Sequence, residues 1–173
     1  MEFFSIFKQL AKNVKFISME LKFNGSEGFS ENQLNEFEEL LNRELPSNLI
    51  EFLLQHGGST PLINNKNCCF TINLFNGSII CGYIKKIVSY ESLKNDLQYI
   101  GYLEEHVEYF SLSKDYVETQ YLFPFAILAK AVVYVSIRGK HLNKVYYADN
   151  GDFGIIFLAD SIELFFESLF ECD

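Results

Sequence analysis

Three histidines, four cysteines and 23 acidic side chains are the groups from which this chain could build chemistry. Nucleophilic catalysis needs a base held against a serine, cysteine or threonine. His56 falls at a helix end, where an imidazolium suits the negative pole of the dipole; His106 lies among Glu104, Glu105 and Glu108 on a helix surface; His141 belongs to a turn. None is set beside a nucleophile by spacing. Glu104-Glu105-His106 has part of the lettering of a zinc-protease helix, but no second histidine stands four residues away. Asp152-Phe153-Gly154 matches the metal-binding tripeptide of protein kinases without the glycine-rich loop, strand lysine or catalytic loop that give it meaning. Asp149, Asn150 and Asp152 lack the spacing and the distal glutamate of a calcium loop and read as a hairpin turn. Cys68, Cys69, Cys81 and Cys172 show no metal-ligand spacing, and adjacent Cys68 and Cys69 must point to opposite faces of a strand. They read as reduced, mostly buried thiols. The expectation is a protein without catalytic set, metal or cofactor.

The elements that would position these groups are punctuated most clearly between Ser30 and Gly58. Ser30 with Gln33 three positions on is a capping box. Leu34, Phe37, Leu41 and Leu45 recur at near-helical spacing, with Glu31, Asn35, Glu38, Glu39 and Asn42 on the other face. Pro46 suits the first turn of a second helix, whose buried face is Leu49, Phe52 and Leu53, and Gly57-Gly58 supplies the left-handed stop. A helical hairpin is predicted.

At the other end, Val145 to Ala148 and Phe153 to Leu158 are β-branched or aromatic runs joined through Asn150-Gly151, a hairpin signal. Asp160 with Glu163 marks another helix start, and Ile162, Phe165, Phe166, Leu169 and Phe170 give the pattern of a docked C-terminal helix. Between these regions, Cys69 to Phe75 turns through Asn76-Gly77 into Ser78 to Tyr83, and Lys85 to Val88 extends that strand or starts another. Residues 89 to 110 read as helical and 131 to 137 as a strand that feeds the one at Val145. Residues 2 to 12 read as a short helix and 14 to 23 as extended. The fold class predicted is α+β, with a mixed, mainly antiparallel sheet of about five to six strands, helices on one side and a C-terminal helix.

A chain of 173 residues that is 49% hydrophobic has ample core for one domain, and 1–173 is read as one. Net charge is −9, and Val145 to Asp173 supplies −7 of it, with seven acids and no lysine or arginine. Such a field repels nucleic acid and anionic lipid and attracts a basic protein; a solvated helix face accounts for it equally well. Tyr99, Tyr102, Tyr109, Tyr116 and Tyr121 sit among acids in the middle segment and are hard to bury all together; tyrosine beside carboxylates is the composition of a protein-binding surface. The most apolar stretch, Tyr121 to Val135, is interrupted by Pro124 and Lys130 and is shorter than the roughly twenty residues of a membrane span. No secretory leader is read at the N-terminus, and reduced thiols fit a cytoplasmic protein.

The ordered series Phe37-Glu38, Leu45-Pro46, Ile50 to Leu53, Gly57-Gly58, Phe123 to Ala126, Val145 to Tyr147 and Ala159 to Phe165 resembles the SUKH superfamily, the Smi/Knr-like group of bacterial immunity proteins and fungal cell-wall regulators. The resemblance covers about residues 30 to 170 and leaves 1–29 as an N-terminal extension. Ile127 to Lys130 stands where the family usually has a glycine-rich acidic turn. It implies a non-catalytic protein-binding module that neutralises a cognate polymorphic or contact-dependent toxin, including nucleases, or alternatively a regulatory scaffold binding a housekeeping partner. On the immunity reading the partner is a toxin with a basic surface. Glu104, Glu105, Glu108, Tyr109, Asp149 and Asp152 are the candidate contact residues.

Overall fold

The computed structural model describes residues 20–74, 76–94, 117–129, 131–149 and 154–172. Its first sheet holds β1 (Leu21–Asn24), β2 (Thr60–Ile63), β3 (Lys66–Asn73), β4 (Ile79–Tyr83) and β10 (Phe170–Glu171), in the order β1-β2-β3-β10 with β4 also paired to β3. The second is a run of neighbours: β5 (Lys86–Ile87), β6 (Leu122–Ile127), β7 (Ala131–Ser136), β8 (Val145–Asp149) and β9 (Ile155–Ala159). Every pairing described is antiparallel. The class is α+β as predicted, with the strands divided between two five-stranded sheets.

The helical hairpin forms as its punctuation requires. Ser30 accepts the Gln33 N–H while the Gln33 side chain accepts the Ser30 N–H, and α1 (Glu31–Leu41) follows. It stops at Asn42, whose left-handed φ of 51° an asparagine tolerates well. Leu45 therefore lies beyond the helix, yet it is buried, with its N–H taken by the Glu38 carboxylate at 2.6 Å. Pro46 occupies the cap position of α2 (Ser47–His56), and Gly58, at φ 75°, turns the chain out of it. The last carbonyls of α2 are not left bare. The loop before α1 covers them: Phe29 N–H donates to Leu53, Gly28 N–H to Gly57 and Ser26 Oγ to Gln55.

The end of the chain departs from the sequence expectation. The cap of α3 (Ile162–Glu167) is Ser161, which accepts the Leu164 N–H at 3.2 Å, whereas Asp160, predicted to start the helix, pairs with Lys144 at 3.4 Å. The helix then ends before Phe170, which enters β10 opposite Cys69. That pairing overturns the reading of four reduced, mostly buried cysteines. Cys69 and Cys172, 103 residues apart, form a disulfide, and Cys81 is an exposed thiol. Cys68 alone keeps the predicted character: it is buried, and burial pushes its thiol up to about 11. The helix expected at residues 2 to 12 lies outside the described residues, as does most of that expected from 89 to 110; 90–94 are helical.

One aromatic cluster fills the space between the sheets. Phe52 of α2 lies 5.6 Å from Phe23 of β1, 5.1 Å from Phe125 of β6 and 5.2 Å from Phe166 of α3, ring centre to ring centre. Phe165 meets Phe70 of β3 at 5.2 Å and Phe125 at 6.4 Å. Two helices and both sheets thus share one aromatic contact network. Gly82 of β4 belongs to the same packing, because a Cβ there would sit 2.5 Å from the Phe70 ring. The second sheet is buried on its other face too: Leu122, Val132, Tyr134, Tyr146, Ala148 and Ile155 form a separate cluster against Val117. That accounts for the unbroken apolar run of β7, since a strand covered on both sides has no polar face.

His56 joins the aromatic cluster, stacked on Phe23 at 4.0 Å and 5.0 Å from Phe52. Burial holds its pKa below the ordinary histidine value, so the structure favours the neutral ring over the imidazolium expected from the helix dipole.

Two measurements test this packing. Phe165→Ala should cost about 3–5 kcal/mol in denaturant unfolding, with Phe165→Leu losing much less. For His56, the unfolded chain binds the proton more readily than the folded one, so stability should fall as pH drops from about 6.5 toward the depressed folded value. His56→Phe should flatten that part of the stability-versus-pH curve; an unchanged slope would assign the dependence to other groups.

Candidate partner-binding surface

The joint between α1 and α2 faces the loop that follows β7, and a groove of about 710 Å³ opens between them. Glu38, Glu39, Asn42, Arg43, Glu44, Leu45 and Pro46 form one wall, and Ile137, Arg138 and Leu142 the other. Local rules of chain geometry place these side chains. The left-handed turn at Asn42 ends α1 and swings Arg43 inward, where its guanidinium donates to the Gln120 carbonyl and lies 5.2 Å from the Tyr121 ring centre. Glu38 is tied to the Leu45 N–H. On the opposite wall a 3-10 turn (Gly139–His141) carries the chain to Leu142, with the buried His141 ring anchored through Nδ1 to the Tyr146 hydroxyl at 3.0 Å.

Glu39 and Glu44 are exposed, and among the described residues neither they nor Glu38 makes an ion pair. Leu142, 47% accessible, lines the groove with them, and Leu40, next to Glu39 in the chain, is 59% accessible. Carboxylates next to uncovered leucines provide charge for attraction and apolar area for contact, the two ingredients of a protein-binding patch. Arg43 is already committed to Gln120 and Tyr121, so Glu39 and Glu44 face an incoming cation with Arg138, exposed on the opposite wall, as the groove's other charged group.

The surface expected from sequence draws on other residues. Glu104, Glu105, Glu108 and Tyr109 lie outside the described residues, and so does Asp152. Asp149 closes β8 opposite Ala131. Sequence reading assigned Glu38 and Glu39 to the solvated face of α1 and passed over Glu44. The available signal was Glu38-Glu39 followed by Glu44 around a helix stop, three carboxylates brought to one end of the hairpin.

No described histidine is placed for nucleophilic chemistry. Among the described residues His56 touches aromatic rings and His141 a tyrosine hydroxyl, and no group of three or more His, Cys, Asp or Glu side chains could hold a metal ion. Nor is any helix of the described residues long and apolar enough to cross a membrane.

Among curated proteins none matches this sequence. The sequence profile described as the SMI1 / KNR4 family (SUKH-1) matches residues 28–168, from the loop ahead of α1 to the end of α3. Helices α1 to α3 and strands β2 to β9 fall inside that span, and among the described strands β1 and β10 lie beyond it. The chain therefore belongs to the SMI1 / KNR4 family (SUKH-1), and its domain is of the immunity or regulator type.

Proposed function

We propose that this chain is an immunity protein: a non-catalytic, cofactor-free binding module that neutralises a cognate bacterial toxin in the cytoplasm. Family membership supports the general class. The observation that carries the particular reading is the set of carboxylates without ion pairs among the described residues, Glu38, Glu39 and Glu44, lining one groove with exposed Leu142, with exposed Leu40 next to Glu39 in the chain. A nuclease toxin presents a cationic groove where its nucleic-acid substrate would lie. Carboxylates held at a helix joint steer that groove toward them, and the leucines give the docked pair water-excluding contact. A net charge of −9 repels the nucleic acid itself, so the acidic chain binds the toxin rather than the toxin's substrate.

Rescue of growth is the direct test. The toxic C-terminal domain encoded by the adjacent upstream gene is expressed in a sensitive host with and without this chain. Growth restored only in its presence supports immunity; failure to rescue a demonstrably toxic domain overturns it in favour of a regulatory scaffold. Given rescue, Glu39→Lys combined with Glu44→Lys should slow association with the toxin about tenfold at low salt and reduce its salt dependence. Parallel variants neutralising Asp149 with Asp152, and Glu104, Glu105 and Glu108 with Tyr109→Ala, put the same question to the other two acidic sets. An association rate that ignores the Glu39/Glu44 pair and responds to one of these would move the toxin contact away from the groove.

A further inference from the structure

Strand β4 is an outer edge of the first sheet: among the described residues it pairs with β3 alone. Its register fixes which backbone groups are spare. Leu74 N–H donates to the Ser78 carbonyl at 2.8 Å and Ile84 N–H to the Cys68 carbonyl at 3.1 Å. Positions 74/78 and 68/84 are therefore hydrogen-bonded pairs. By alternation Ile80 and Gly82 address β3, while Ile79, Cys81 and Tyr83 turn their N–H and C=O groups outward. The same three residues carry the solvent-facing side chains, with Ile79 67% and Tyr83 37% accessible and Cys81 an exposed thiol.

Proteins blunt such edges with lysine, proline, a bulge or an inward-pointing charge. Ile79–Tyr83 has none of these: the sequence Ile-Ile-Cys-Gly-Tyr is uncharged, and its register with β3 runs unbroken over five residues. We propose that β4 pairs with β4 of a second copy of this chain, antiparallel about a two-fold axis at Cys81, joining two first sheets into one. Centring the axis there sets Ile79 opposite the partner's Tyr83 and Cys81 opposite the partner's Cys81. Every outward N–H and C=O of the three residues then finds its complement, each residue pair exchanging two bonds. The register also places Lys85 beside the partner's Gly77, so no like charges meet. An uncharged strand offers nothing to select a basic protein; self-complementarity is what it does offer. The inference is independent of the toxin-binding reading, which rests on other elements.

Sedimentation of the full-length chain over a range of concentrations tests the pairing, together with copper–phenanthroline oxidation read on a non-reducing gel. Hydrogen-bonded antiparallel pairs hold their Cα atoms about 5.5 Å apart, within disulfide reach, so Cys81 should crosslink two copies. The expected result is a concentration-dependent dimer whose crosslink vanishes in Cys81→Ser. In Ile79→Lys the dimer should weaken tenfold or more, while the circular dichroism of the monomer is unchanged. A chain that stays monomeric at every concentration overturns the proposal. A dimer indifferent to Ile79→Lys, or one that crosslinks without Cys81, overturns it as well. So would amides of Ile79, Cys81 and Tyr83 that gain protection from hydrogen exchange only when toxin is added, a result that would assign the edge to the toxin.

Discussion

Close packing of phenylalanine rings between two sheets is the constraint to which the other features answer. Phe52, Phe125, Phe165 and Phe166 come from three stretches of chain, α2, β6 and α3, that no hydrogen-bond ladder joins directly, and neighbouring rings from different stretches lie 5.1 to 6.4 Å apart. Aromatic side chains bring large buried area with few rotatable bonds, so ordering them costs less conformational entropy per unit of surface removed from water. The helical hairpin is held at one angle because Phe52 must reach Phe125. In turn, α3 must present two successive rings, Phe165 toward β3 and Phe166 toward β1. Gly82 is small because Phe70 leaves it no room.

Features decided locally could be read from sequence; features decided by distant pairing could not. The capping box at Ser30, the stop at Gly58 and the turn at Asn76-Gly77 each depend on a few adjacent residues, and each forms as written. Of the expected stripe Leu34, Phe37, Leu41 and Leu45, the first two are buried within α1, Leu41 is half-buried at its end and Leu45 is buried just beyond it. By contrast β10 is two residues long, too short to carry a period, and it exists because β3 offers it an edge. Its neighbour Cys172 becomes half of a disulfide only through that pairing, which is why thiol spacing alone pointed to reduced cysteines. The β2–β3 hairpin was missed although Asn64 and Asn65, both left-handed, are a readable turn signal; burial alternates along β2 and most of β3, but residue type does not, since Pro61 takes a buried position and Leu62 and Cys69 half-buried ones.

The candidate surface was illegible for a different reason. A helix face rich in glutamate has the same composition whether it meets water or a partner. Only the turn at Asn42, the capture of Arg43 by Gln120 and Tyr121, and the approach of Leu142 from the β7–β8 loop distinguish Glu39 and Glu44 from ordinary solvated acids. The same rigidity that packs the core makes the surface specific, because a partner meets carboxylates whose backbone cannot shift. Apolar atoms near the charges lower the local dielectric and strengthen whatever pairs form there.

The short passage from β4 into β5 also bears on how the molecule comes together. Ile84, fully buried, gives its N–H to Cys68 in the first sheet; Val88, four residues on, gives its N–H to Phe125 in the second. One continuous piece of backbone is thus stitched to both sheets, and neither can melt without pulling on the other. The second sheet is built from sequential neighbours, β6 through β9, and its contacts close short loops; the first awaits β10, whose partner strand was synthesised about a hundred residues earlier. Short loops close at lower entropic cost, which makes the β6–β9 meander the natural nucleus. Residues 84–88 then act as the splint along which order spreads to the rest, so that two sheets behave as a single cooperative unit.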